Sequence, residues 1–259
     1  MDALLTLLSP GLSLDALVFC FAITLFAGLV KGVVGFAMPM IMISLLGSVI
    51  APELALAGLI IPTVLANSWQ ALRQGPAEAL RSILDFRLFM IVGGIALALS
   101  AQMVRVIPVP VMLILIGAPV VFFTTLQLFG WRPTVLKSSR RSEAGTALVA
   151  GAMGGFSGTW GPPTVLYLTA LGTPKRDSVR IQGVLYGLGS VVLLLAHIGS
   201  GVMRWETFPF SVALCLPALA GMALGFAIQD RIDQTLFRRA TMVVLIIAGL
   251  NLIRRGLMG

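Results

Sequence analysis

Long apolar runs, broken by short polar stretches, dominate the chain, and they do not alternate in the two-residue rhythm of a barrel strand. Their lengths cluster near the roughly 20 residues that a helix needs to cross a bilayer. The pattern predicts apolar helical segments at 16–47, 54–72, 88–104 and 110–129, then at 144–171, 179–198, 208–228 and 236–253. The blocks at 16–47 and 144–171 are too long for one straight span and too short for two full ones.

Both long blocks contain the same interruption. Gly28, Gly32 and Gly35 recur as Gly151, Gly155 and Gly158, and Pro39 recurs as Pro162, without a gap at a spacing of 123 residues. Glycines four and three apart allow close helix packing, but they do not account for a proline at a fixed distance behind them. Proline is tolerated best in the first turn of a helix, so Pro39 and Pro162 predict new half-helices beginning inside the membrane. The fold class expected is an all-α polytopic membrane protein. It has two inverted-topology repeats, each a broken or re-entrant helix pair plus three transmembrane helices. The first repeat is read as 1–131, a basic cytoplasmic linker as 132–143, and the second repeat as 144–259.

Composition agrees. The 259 residues are 58% hydrophobic and 11% charged, with a mean hydropathy of +1.01, too apolar to cover a water-soluble globule. Asp2 and Asp15 flank the first apolar stretch where a secretory signal would carry positive charge, so no cleavable signal is expected. Cys20 and Cys215 stand alone in apolar segments, which argues against a disulfide framework or a thiolate metal site.

The net charge of +8 lies in short loops and at segment ends, the distribution of the positive-inside rule rather than of a nucleic-acid surface. If each long block crosses an even number of times, one side collects Arg73, Arg81, Arg87, Arg132, Lys137, Arg140, Arg141, Lys175, Arg176, Arg180, Arg231, Arg238 and Arg239. The other side keeps only Arg105, Arg204, Arg254 and Arg255. An odd count gives a far weaker bias. The even reading places both termini outside.

A half-helix that starts at membrane depth presents unpaired NH groups and the positive end of its dipole, a setting that binds anions. The expected site is therefore a small-anion site built from Lys31, Gly32, Gly35, Phe36, Pro39, Gly155, Ser157, Gly158, Thr159, Trp160, Gly161 and Pro162. Ser157 and Thr159 would add hydroxyl donors. Lys31, a cation inside an apolar run, would supply counter-charge. Asn67, Ser68 and Gln70, and more loosely Tyr167, Gln182 and Tyr186, are read as helix-to-helix hydrogen-bonding groups, and His197 as a packing or interfacial one.

These motifs, the run Gly161-Pro162-Pro163-Thr164-Val165-Leu166-Tyr167, the duplicated halves and the basic central loop resemble the sulfite exporter TauE/SafE family of membrane permeases. The resemblance implies transport of a sulfur oxyanion or organosulfonate, such as sulfite or sulfoacetate, across a bacterial inner membrane, with no cofactor and no enzymatic step. Its partners would be a small anion and the lipid bilayer. A homo-oligomer and a coupling ion, proton or sodium, are left open. A rival reading takes Gly155-Phe156-Ser157-Gly158 with His197 as the Ser/His dyad of an intramembrane protease, although the repeat already accounts for those glycines. A membrane scaffold is a third reading, and it leaves the paired breaks without a reason.

Overall fold

The computed structural model describes residues 12–130, 139–228, 231 and 233–258. The expectations placed on Asp2, Arg132, Lys137 and most of the linker lie outside these residues, as do the side chains of Lys175, Arg176 and Arg238. The described residues form twelve helices and no strand.

The first block divides into α1 (Leu14–Val34) and a short α2 (Met38–Leu46). Ser13 caps α1 by accepting from the Ala16 amide at 3.3 Å, with Asp15 in the first turn, where the helix dipole favours it. The second block divides alike, into α7 (Arg140–Ser157) and α8 (Gly161–Ala170). Ser139 and Ser142 form a reciprocal capping box, so Arg140 to Glu143, expected in the linker, make the first turn of α7.

Both long helices end the same way. Gly35, at φ 88°, donates its NH to the Lys31 carbonyl, and Gly158, at φ 68°, donates to that of Gly154. A left-handed turn of this kind favours glycine because a Cβ would crowd the backbone. Three residues later the half-helices begin, with Pro39 and Pro162 in their first turns. At 1.5 Å per residue they are only about 14 to 15 Å long, half the hydrocarbon thickness.

The remaining helices of the first half are α3 (Pro52–Leu72), α4 (Pro76–Asp85), α5 (Arg87–Met103) and α6 (Val109–Leu128). The second half continues with α9 (Lys175–Ser200), α10 (Phe208–Ala213), α11 (Cys215–Ile228) and α12 (Gln234–Met258). Among the described residues six stretches are long and apolar enough to span a membrane, and α4 with α5, bent by 78° at Phe86, brings the number to seven. The 123-residue spacing extends beyond the motif, because α3 starts at 52 and α9 at 175.

Pairing follows the repeat. α1 packs on α11 and α7 on α5, while α3 packs on its own counterpart α9 and α6 on its counterpart α12. A Cβ on Gly28 would meet the Ala218 carbonyl and one on Gly32 that of Met222, so α1 and α11 run in the same direction. Gly58 lies by Phe210 and Trp69 stacks edge-on with Phe226, so α3 also runs with α11, and hence with α1. The half-helix α2 thus brings the chain back between α1 and α3, as the even reading of the block requires. By contrast Asn67 meets Tyr186 while Gln70 meets Val179, so α3 and α9 are antiparallel. Gly117 lies by Gly249 and Gly256 by Pro110, so α6 and α12 are antiparallel as well. Counterpart helices running in opposite senses are what inverted repeats require.

Candidate functional site

The two breaks face one cavity of about 20 Å³. Phe36, Ala37, Pro39 and Met40 line it from the first break, Gly158, Thr159, Trp160 and Gly161 from the second, and Lys31, Asn67 and Tyr186 complete the wall. Seven of the twelve residues expected at the site are therefore together: Lys31, Phe36, Pro39, Gly158, Thr159, Trp160 and Gly161. Ala37, Met40, Asn67 and Tyr186 are additions.

Lys31 is 1% exposed. Its ammonium donates to Asn67 Oδ1 at 2.7 Å and to Gln70 Oε1 at 2.8 Å. Those amides are in turn held by α9, Asn67 Nδ2 donating to the Tyr186 carbonyl at 3.0 Å and Gln70 Nε2 to the Val179 carbonyl at 3.2 Å. Both acceptors of the lysine are neutral, and the ion pairs among the described residues do not include it. The C-terminal end of the α1 dipole gives partial compensation. In its protonated form Lys31 gives the site a buried positive charge, with one ammonium hydrogen beyond those given to the amides.

The half-helix ends contribute less than their position suggests. Proline has no NH, so Pro39 removes one donor from the first turn of α2, and Pro162 with Pro163 removes two from that of α8. The prolines that start these helices leave the dipole but strip donors, which makes Lys31 the main cationic feature of the cavity.

Five expected residues do not line it. Gly32 and Gly155 serve packing, since a Cβ would come within 2.4 Å of the Met222 carbonyl in one case and 1.9 Å of Ser100 Oγ in the other. Gly35 is the cap of α1, and Pro162 lies within the first turn of α8. Ser157 Oγ donates back to the Met153 carbonyl at 2.8 Å, so in its short bond with Thr159 the threonine hydroxyl is the donor. Neither hydroxyl has its hydrogen aimed into the cavity, contrary to the expectation that both would act as donors.

A family model, sulfite exporter TauE/SafE, matches residues 20–252, which includes both breaks and every residue of the cavity. The chain belongs to the sulfite exporter TauE/SafE family. No curated protein and no solved structure matches it. As a TauE/SafE protein it is a multi-pass membrane transporter of the sulfur-anion class rather than an enzyme. The protease reading gains no support from the geometry either. His197 Nε2 donates to the Gly155 carbonyl at 3.0 Å, and Nδ1 meets Ser200 Oγ at 3.1 Å. The histidine thus satisfies one of the carbonyls left open at the C-terminus of α7, while Ser157 is turned into its own helix.

Asn67 and Gln70, read from sequence as helix-bridging, do bridge α3 to α9. Tyr186 donates to the Gly161 carbonyl at 3.3 Å, tying α9 to the start of α8. Their place beside Lys31 depends on how three helices cross, which no local pattern encodes. The only available hint was that Asn67 and Gln70 are three apart on one face of an otherwise apolar helix.

Proposed function

We propose that the chain carries a small sulfur oxyanion or organosulfonate, sulfite or a sulfoacetate-sized compound, bound between the two helix breaks with Lys31 as its counter-charge. The observation that supports this is the convergence of two breaks, 123 residues apart in sequence, on one cavity holding a buried lysine without an acidic partner. A buried unpaired cation is costly. An oxyanion offsets that cost and takes the remaining ammonium hydrogen and the few NH groups that the prolines spare.

A cavity of about 20 Å³ has room for roughly one water, so passage of an oxyanion needs the breaks to separate. The half-helices α2 and α8 are the natural moving parts, each joined to its long helix by a three-residue turn. With the positive-inside rule, the basic loops face the cytoplasm of a bacterial inner membrane and both termini face the periplasm.

The test is uptake of radiolabelled sulfite by proteoliposomes, with an anion panel as competitors. Saturable flux is expected, and Lys31→Met should lower kcat/KM by about 30- to 150-fold, the scale of a lost charge-assisted contact of about 2–3 kcal/mol. Full flux in the folded Lys31→Met protein would overturn the role of the lysine. Flux of none of the sulfur anions in the parent would overturn the substrate class.

A further inference from the structure

Beyond the polar cavity lies a second, of about 120 Å³, between α5, α7 and α9. Its walls are apolar, with Phe89, Leu97, Leu185 and Val192 among them, and Gly93, Gly151 and Gly189 leave it room. Trp160 borders both cavities.

The indole is 6% exposed and sits in a slot cut by two glycines. A Cβ on Gly154 would lie 2.7 Å from Trp160 Cε3, and one on Gly189 3.5 Å from Cε2. The repeat makes this arrangement informative. At the 123-residue spacing Gly154 corresponds to Lys31 and Trp160 to Ala37. One half places a long cation before the break and a small residue after it, and the other half places nothing before the break and an indole after it. The space that a lysine would take in the second half is filled by Trp160.

We infer that Trp160 is the specificity-determining partition of the transport site: it limits the substrate to a compact anion by closing off the apolar cavity, which would otherwise accept the hydrocarbon tail of an alkanesulfonate. A dry apolar cavity of ~150 Å³ suffices for benzene, so the space behind the indole suits a chain of about four carbons. This inference rests on the reading of Lys31 as the anion site.

The test measures inhibition of sulfite uptake by methanesulfonate, ethanesulfonate and butane-1-sulfonate. The parent should favour the shortest. In Trp160→Ala, and more weakly in Trp160→Leu, the ratio of inhibition constants should move toward butanesulfonate by at least about tenfold, the discrimination that one or two buried methylenes supply. Gly189→Leu in the Trp160→Ala background refills the space and should restore the preference for the short chain. An unchanged chain-length order in the transport-competent Trp160→Leu variant overturns the inference, as does a parent that takes butanesulfonate as readily as methanesulfonate. A lipid chain occupying the cavity would produce the first of these results. If neither variant carries flux, the same order is read from thermal stabilisation of the purified proteins by each sulfonate. Failure of the anion reading is distinguishable, because sulfite inhibition and flux would then be insensitive to Lys31→Met whatever the chain-length order.

Discussion

Lys31 owes its place to neutral oxygens, and that separates its charge from its contacts. Asn67 Oδ1 lies 2.7 Å from the ammonium. Replacing Asn67 by Ala removes one contact and leaves the cation in place. Replacing it by Asp keeps the shape but sets a carboxylate against the lysine, forming an internal pair that competes with any incoming anion. Asn67→Asp is therefore expected to raise the KM for sulfite at least about tenfold more than Asn67→Ala, measured as flux in proteoliposomes. The reverse order would mean that the amide positions the substrate and the charge is incidental. Lys31 could be picked out of the sequence because a cation interrupts an apolar run. Asn67 could not be assigned to it, since the two are 36 residues apart and meet only because α1 and α3 both pack on α11 in the same sense, with α2 between them.

The motif glycines divide into two jobs. Gly28, Gly32, Gly151 and Gly155 let neighbouring backbones touch, and a Cβ on Gly151 would lie 2.1 Å from the Gly93 carbonyl. Gly35 instead has nothing nearer than 3.9 Å to its added Cβ and is constrained by its positive φ. Gly151→Ala must push α5 and α7 apart, at about 3 kcal/mol, whereas Gly35→Ala costs only the left-handed strain of about 1–2 kcal/mol. Thermal unfolding in detergent should rank Gly151→Ala well below Gly35→Ala, and equal losses would show that the cap matters as much as the contact. From sequence the glycines looked alike, because spacing places them on one face without saying what faces them. The helix α4 was missed for a related reason. Read as part of a polar connection, 76–85 carries Glu78, Arg81 and Asp85, yet Ala79 and Ser82 are buried while Leu80 and Leu84 are exposed. Too short to span, it is held to α9 by Arg180, which donates to Glu78 at 2.8 Å and to Ser82 Oγ at 3.2 Å.

At the scale of the molecule the legible part was the duplication, because it repeats breakers, and proline and glycine act locally. Relative helix direction was reachable only through loop charge, and the packing agrees with that route. α1, α3, α6 and α11 run one way, and α5, α7, α9 and α12 run the other, since α5 and α9 share a sense through Gln102 on Ala196 and Arg105 near Gly201. The start of α1 and the end of α12 then lie on the face that carries Arg105, Arg204, Arg254 and Arg255. On that face Arg204 is offset by Glu53 at 2.9 Å and Glu206 at 3.3 Å, which lowers its effective charge further. The opposite face carries Arg73, Arg81, Arg87, Arg140, Arg141, Arg231 and Arg239 besides Arg180, which pairs with Glu78 and Asp177. On the positive-inside rule this distribution predicts that both termini face outward. A phosphatase reporter fused after Gly259 should be active and a cytoplasm-dependent fluorescent reporter at the same point dark. Moving either reporter into the 132–138 segment should exchange the two signals. A fluorescent C-terminus would reverse the orientation while leaving the antiparallel pairing of α3 with α9 untouched, because that pairing rests on contacts rather than on charge.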